Sequence, residues 1–469
     1  MSSDTPASNP AGPGIARTMA FASALSGERD TADAADEVAG RIGEQLAGQR
    51  PDLLLVFASP HHAGNMPRIS STLSRLLSPG CILGVTGEAV IGGYMELEGL
   101  PGLSVLAAVL PGVGVRGFAA DDIRRIIARS ERDLELGQRN SPEDRQRGDD
   151  EDLAELAQTT GVVRGHAGTI LFSDPFSVDI SSLFPPLMRA RRLAWPEGSE
   201  GPGSPGASHA GRRAPIIGGI ASAARKPRGN ALLLNDRVMN SGLVGVSLTG
   251  RVRIDAVVSQ GCRAFGPNLV VTSASEGVIR TLGGRPALDV LQELIEAMPE
   301  QQRQLLAHGI MLGRVVDEYK DRFGPGDYLM RAVVGVSQDQ KAVGVADTMR
   351  TGSTVRFHLR DASTADADLA LCMDAQALHG PPAGMMLITC NARGTRLFGT
   401  ANHDATVVQK AFAEGEPGQE LAKGGRAMNG PPRAIPLGGF FAAGEIGPVG
   451  EGVFVHGQTA CVAAFRPLP

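Results

Sequence analysis

The sequence predicts an α+β fold: two domains of mixed and antiparallel sheets covered by helices. Three observations carry this reading. Strand-like apolar runs outnumber helical patterns along the chain. Several strand pairs are joined by segments too short for a parallel crossover, which needs a dozen or more residues. The chain has 469 residues, enough for two ordinary domains with sizeable cores, and its 42% hydrophobic and 20% charged content is that of a globular protein.

The elements follow in order. Residues 1–33 read as a poorly ordered extension, because the stretch from Met1 to Gly14 is dominated by Ser, Pro, Gly and Ala. Residues 34–46 have helical spacing, with Val38, Ile42 and Leu46 four apart. Residues 53–58 form a continuous apolar run after Pro51-Asp52, the pattern of a fully buried strand, and 81–85 and 103–110 repeat it. Gly112-Val113-Gly114-Val115-Arg116-Gly117 has the spacing of a dinucleotide fingerprint. The ribose-binding acid and the parallel strand it needs are missing downstream, so the segment reads as a loop. Residues 121–134 form an amphipathic helix, 141–152 are polar, and Asp152 is placed to cap a second helix.

Residues 169–172 are a strand and 178–192 a helix interrupted by Pro185-Pro186. Residues 196–213, around Gly201-Pro202-Gly203-Ser204-Pro205-Gly206, are a flexible insertion of Gly, Ser and Pro. Strands follow at 216–222, 231–234, 242–248 and 251–258, with turn chemistry at Asn235-Asp236 and Thr249-Gly250. Ser275-Glu276-Gly277 between 269–274 and 278–282 is a hairpin signal. Helices are expected at 286–298, 302–307, 366–378 and 403–412, and strands at 328–336, 342–345, 354–359, 385–390, 439–443 and 459–465.

A strand–helix–strand–strand pattern echoes three times in this series. Its anchors are 53–57, 84–88 and 103–109; 168–172, 218–220 and 243–248; and 385–389, 442–445 and 459–465. A duplicated module and convergent strand composition both account for the echo.

Composition excludes several function classes. The net charge of −5 provides no basic field for nucleic acid or anionic membrane, and 4% aromatics are too few for base-stacking platforms. No apolar stretch reaches the roughly 20 residues of a bilayer span. Five widely spaced cysteines without a CxxC pair fit a reducing compartment, with neither a disulfide framework nor a structural zinc site. No signal peptide is visible at the N-terminus. The expectation is a cytoplasmic protein without metal or cofactor.

The last third carries the chemistry. Thr389-Cys390-Asn391-Ala392-Arg393-Gly394 ends one apolar strand, and Ala443-Gly444-Glu445-Ile446-Gly447 is a glycine-dense turn with one carboxylate. Side by side, these ends offer a cation, an anion and open backbone, which suits a small zwitterion. Arg393, with Asn391 beside it and Gly394 allowing close approach, is expected to grip a carboxylate through two parallel hydrogen bonds. Glu445, next to Gly444, is expected to hold an ammonium group, or else to accept backbone N–H groups in the turn. Glu88 and His61, at strand ends in the first half, are further candidate ligand contacts. Cys390 with His403 as its base is the candidate nucleophile pair, and the alternative is a buried, unreactive thiol.

These residues also resemble a known family. Cys390-Asn391-Ala392-Arg393-Gly394, the following Leu397-Phe398-Gly399 and His403-Asp404, and Phe440-Phe441-Ala442-Ala443-Gly444-Glu445-Ile446-Gly447-Pro448 before His456-Gly457 are similar to the C-terminal domain of the FIST (F-box and intracellular signal transduction) family. Upstream, residues 53–62, Gly84-Val85-Thr86-Gly87-Glu88, Asn235-Asp236-Arg237 and Val258-Ser259-Gln260-Gly261-Cys262-Arg263 resemble its N-terminal domain. The resemblance spans residues 50–465 and implies an N-terminal FIST domain over 34–284 and a C-terminal one over 285–469. The expected type is the prokaryotic one, without an F-box. It implies a sensory protein that binds small molecules such as amino acids and signals through a protein partner. The rivals are an enzyme using Cys390 and His403 or the Glu445 carboxyl, and a ligand-free scaffold.

Overall fold

The computed structural model describes residues 17–126, 152–194, 214–413 and 434–468. The insertion expected at 196–213 and the polar stretch 141–151 lie outside them. Within them, the same six-stranded sheet is built three times.

The first unit contains β1 (Ala20–Ser26), β2 (Leu53–Ala58), β3 (Cys81–Thr86), β4 (Ala89–Gly92), β5 (Met95–Glu98) and β6 (Leu103–Val109). The second contains β7 (Val113–Ala119), β8 (His166–Ser173), β9 (Ile216–Ile220), β10 (Leu232–Leu234), β11 (Arg237–Met239) and β12 (Leu243–Gly250). The third opens with β13 (Val252–Ser259). A separate sheet interrupts it, comprising β14 (Cys262–Ser275), β15 (Val278–Leu282), β16 (Arg285–Pro286), β17 (Ile310–Val315), β18 (Tyr328–Ser337), β19 (Ala342–Val345) and β20 (Thr354–Arg360). The third unit then resumes with β21 (Gly384–Cys390), β22 (Leu437–Ala442), β23 (Gly444–Val449), β24 (Gly452–His456) and β25 (Ala460–Pro467).

In each unit the first strand lies antiparallel to the last, the last antiparallel to the second, and the second parallel to the third. Helices fill the connections: Thr31–Gln45 and Met66–Leu77 in the first unit, Phe184–Ala194 in the second, Ala362–Ala377 and His403–Lys410 in the third. The hairpin after the third strand leaves its own sheet. β4–β5 completes the sheet of the third unit, β10–β11 that of the first, and β23–β24 that of the second. The exchange closes a cycle, so hydrogen bonds tie each unit to the other two.

The units meet on their inner faces. Phe57, Phe172 and Phe440, one from each, pack with ring centroids 5.6–5.9 Å apart. The parallel strand pairs approach closely because a glycine stands opposite the second strand. A Cβ on Gly218 or Gly439 would lie 1.8 Å from the carbonyl oxygen of Leu171 or Leu387. Gly84 faces Val56 at the same point of the first unit.

The interrupting sheet closes on itself. β14 pairs with β20, then β17, β18, β19 and β15 follow, and β15 returns to β14. This antiparallel barrel encloses Leu312, Phe357 and Leu359 and is covered by the helix Ala287–Glu296 through Val290 and Leu291. Residues 284 and 285, the expected domain limits, both fall in the barrel segment.

Two sequence expectations are corrected. Residues 17–33 are not an unstructured extension: β1 pairs along its full length with β6, and the first helix begins at Thr31. The segment Gly112–Gly117 is not a loop. It forms a turn and β7, and Gly114 packs on Thr249 of β12.

Candidate functional site

β21 delivers its polar end residues into the protein interior. Arg393 is fully buried, and its Nε and Nη2 donate to Asp404 Oδ2 and Oδ1 at 2.8 and 2.9 Å. Asp404, equally buried in the first turn of the helix His403–Lys410, also accepts from Thr389 Oγ1 at 2.5 Å. Burial opposes ionisation of Asp404, but the Arg393 guanidinium outweighs it and holds the carboxyl below the usual range. The expectation that Arg393 grips a ligand with a two-toothed fork is therefore corrected: the fork is occupied by Asp404. Arg393 Nη1 is left buried and without a partner.

Glu445 is reached from β23. The three units show how unusual its place is. Opposite the residue that follows the close-packed glycine, the exchanged hairpins present Val90, Leu232 and Glu445. Val90 and Leu232 belong to the central apolar core. Glu445 puts a carboxyl there, fully buried. Its Oε2 accepts from Thr459 Oγ1 at 2.6 Å and Thr459 N at 3.2 Å, while Oε1 has no hydrogen-bond partner. The Cys390 thiol next to the carboxyl adds only a weak donor's influence. Burial weakens the Glu445 acid and pushes its carboxyl up to about 8, against the pull of the Thr459 hydrogen bonds and the Arg393 charge. At neutral pH it is mainly protonated.

Other unpaired polar atoms gather around these two. Cys390 is an electrostatic neighbour of Glu445, Arg393 and Arg360, and its surroundings include the backbone of Ala392 and Gln458. Arg360, the last residue of β20, donates from Nη2 to Ala392 O at 2.7 Å. Arg360 Nε, Gln458 Oε1 and Gln260 Oε1 are buried without hydrogen-bond partners. The site thus lies where the barrel joins the threefold body. It presents N–H donors from two arginines, oxygen acceptors from two glutamines, and a Glu445 carboxyl whose Oε1 becomes an acceptor once it gives up its proton.

The remaining candidates separate into neighbours and bystanders. Asn391 stays beside the cluster, with its N donating to Ala442 O at 2.9 Å. Gly394 has φ +58°, and a Cβ there would meet Glu98 Oε1 and Phe441 at 2.7 Å, so its role is close packing. Gly444 is hemmed in by Val455 and Ile220 in the same way. Glu88 pairs with Arg396. His61 is exposed, 3.5 Å from Ser59 Oγ. The buried histidine is its neighbour His62, which bonds Thr31 Oγ1 at 2.9 Å. Counting from Val56 and Leu387, which face the equivalent glycines, His62 and Arg393 hold matching places in the first and third units.

The nucleophile pair is also corrected. His403 spends Nδ1 on Asp404 and Nε2 on Asp366, both at 3.0 Å, and stacks on Phe398. Neither nitrogen is left for Cys390. Burial, reinforced by Glu445, pushes the Cys390 thiol up to about 12, the opposite of activation. Among the described residues no cluster of His, Cys, Asp and Glu could hold a metal ion, and no helix is long and apolar enough to cross a membrane.

Sequence reasoning missed Asp404 as a partner and missed Arg360, Gln260 and Gln458. His403-Asp404 was visible as a helix start, and an acid near a buried arginine was the available signal. Nothing local marks Arg360, because the barrel brings it back to β21.

Comparison with known proteins places the chain among similar sequences. An uncharacterized protein of Mycobacterium tuberculosis is 33% identical over 93% of this chain and 97% of its own length. An uncharacterized protein of Mycobacterium bovis is 33% identical over 93% of this chain and 96% of its own length. Residues 52–285 match the FIST N domain and residues 287–448 the FIST C domain, domains associated with signal transduction. With both domains in tandem along one chain, this protein belongs to the FIST family.

Proposed function

We propose that this chain is a small-ligand-binding sensory protein of intracellular signalling, and that its ligand is an amino acid or a related metabolite. The observation that carries the reading is Glu445 Oε1, a fully buried carboxyl oxygen without a hydrogen-bond partner. It stands at a position that two equivalent units fill with Val90 and Leu232. An unsatisfied buried polar group costs about 1–3 kcal/mol, and the repeated fold does not need one there. A ligand amine would take the Glu445 proton and, as an ammonium group, satisfy the carboxylate at Oε1, and Arg393 Nη1 supplies a donor nearby. The protein would act in the cytoplasm and pass occupancy to a protein partner by favouring one arrangement of barrel and body.

The test is the thermal midpoint of the full chain against a panel of amino acids and related metabolites, beside Glu445→Gln. A ligand at about 100 times its Kd adds about 2.7 kcal/mol of stability. We expect a stabilising hit on the wild type that Glu445→Gln loses. Silence across the panel at millimolar concentration would sink the amino-acid reading.

A further inference from the structure

Arg331 Nη1 of β18 donates to Val455 O of β24 at 3.0 Å, and the chain itself passes between the barrel and the threefold body at two adjacent crossings, Ser259–Cys262 and Arg360–Asp361. Both are held firmly. Ser259 Oγ and Gln260 N donate to Asp368 Oδ2 at 2.7 and 3.0 Å, and Arg263 Nε donates to Asp361 Oδ2 at 2.6 Å. Gly261 has φ +57°, and a Cβ there would lie 2.5 Å from Ala365 Cα. The chain thus enters and leaves the barrel directly beside the buried polar cluster.

Arg360 is one of two arginines on β20 without a carboxylate partner among the described residues; the other, Arg356, donates from Nε to Gly266 O within the barrel at 2.9 Å. Arg263, Arg314, Arg331, Arg393 and Arg396 each pair with a carboxylate. Arg360 has no such partner among the described residues. Its one hydrogen bond, to Ala392 O, neutralises no charge. Its electrostatic neighbours are the thiols of Cys390 and Cys262 and the Arg393 cation, whose charge is already matched by Asp404. The side chain is half-buried, with Nε sealed and unpaired. The sealed Nε lacks a hydrogen-bond acceptor, which a ligand carboxylate would supply. Arg393 is the poorer anchor, since Asp404 occupies two of its three nitrogens.

We infer that Arg360 is the anchor for the ligand's carboxylate, so that an α-amino acid bridges the barrel, through Arg360, and the body, through Glu445. This rests on the small-ligand reading above and assigns the residue that reading lacked. It also supplies the coupling. A ligand held from both sides of the junction favours one barrel position over others, because its contacts exist only there. Gln260 and Gln458 line the same junction with free carbonyl oxygens and add acceptors for the ammonium group.

The experiment uses the full chain and three probe sets: the proteinogenic amino acids, the amines that lack the carboxylate, and the 2-oxo acids that lack the amine. Thermal midpoints are read for the wild type, Arg360→Gln and Arg360→Lys. We expect an amino acid to raise the wild-type midpoint and its amine to leave it unmoved. Arg360→Gln should keep the unliganded midpoint and lose the response. Arg360→Lys, which keeps the charge without the planar fork, should weaken apparent affinity at least about tenfold. If Arg360→Gln fails to fold, Arg360→Lys alone decides the matter. A response retained unchanged in the variants, or an amine as effective as its amino acid, overturns the Arg360 assignment while the ligand site survives. A wild type that answers none of the probes overturns both.

Discussion

Thr459 donates two hydrogen bonds to Glu445, from Oγ1 at 2.6 Å and from N at 3.2 Å, and both fall on the same oxygen. The second oxygen has no such bond. In the folded protein this carboxyl keeps its proton up to about pH 8. In the unfolded chain it loses it near the ordinary glutamate value of about 4.3. Between these limits the folded state binds one more proton than the unfolded state, so the group makes stability fall as pH rises. Glu445→Gln cannot titrate. The stability difference between variant and wild type should shift in favour of the variant by about 1.4 kcal/mol per pH unit through this window. Urea unfolding at several pH values measures it, and parallel profiles would contradict a protonated Glu445.

The Arg393–Asp404 pair should behave as a buried pair does when one member is removed. Asp404→Asn leaves the Arg393 charge without its counter-ion in a fully buried place. The expected loss is about 3–5 kcal/mol. Replacing both with apolar residues of similar volume should recover part of it. A loss under about 1 kcal/mol in equilibrium unfolding would show that the pair is open to solvent.

Gly439→Ala tests the close approach of β22 to β21. A Cβ there would sit 1.8 Å from Leu387 O, a backbone atom that cannot swing away. The expected outcome is a chain that does not fold to a soluble product. Gly64→Ala, where nothing lies within 4 Å, should change stability by no more than about 0.5 kcal/mol. Equal behaviour of the two variants would rule out the packing argument.

The thiols give a direct check on the enzymatic rival. Burial pushes Cys390 and Cys262 up to about 12 and Cys81 and Cys372 up to about 11, and Cys461 is also raised. The native protein should react slowly with a disulfide reagent at about pH 8, below all of these values, and all five cysteines should react once it is unfolded. Rapid modification of native Cys390, located by peptide mapping, would return it to the list of candidate nucleophiles.

Much of the fold was legible because its central strands are buried on both faces. β2, β3, β6 and β21 read as unbroken apolar runs, and a run of that length needs no partner to be recognised. The threefold echo was visible for the same reason, since its anchors are those strands. β1, with its small alternating residues, and the exchanged hairpins β4–β5 and β23–β24 were not recognised. Their partners belong to distant parts of the chain, and no local pattern names them.

The sequence by itself determined an α+β protein with a polar strand end at Cys390–Gly394 and a lone carboxyl at Glu445. Local chemistry suffices for that, because strand periodicity and glycine-rich turns are written in consecutive residues. Only the tertiary structure decided what these groups face. It gave Arg393 to Asp404, turned His403 away from Cys390, set Glu445 in an aliphatic position of a repeated core, and brought Arg360 to Ala392 through a closed barrel. Charge pairing and burial depend on distance in space, which strand exchange and barrel closure set.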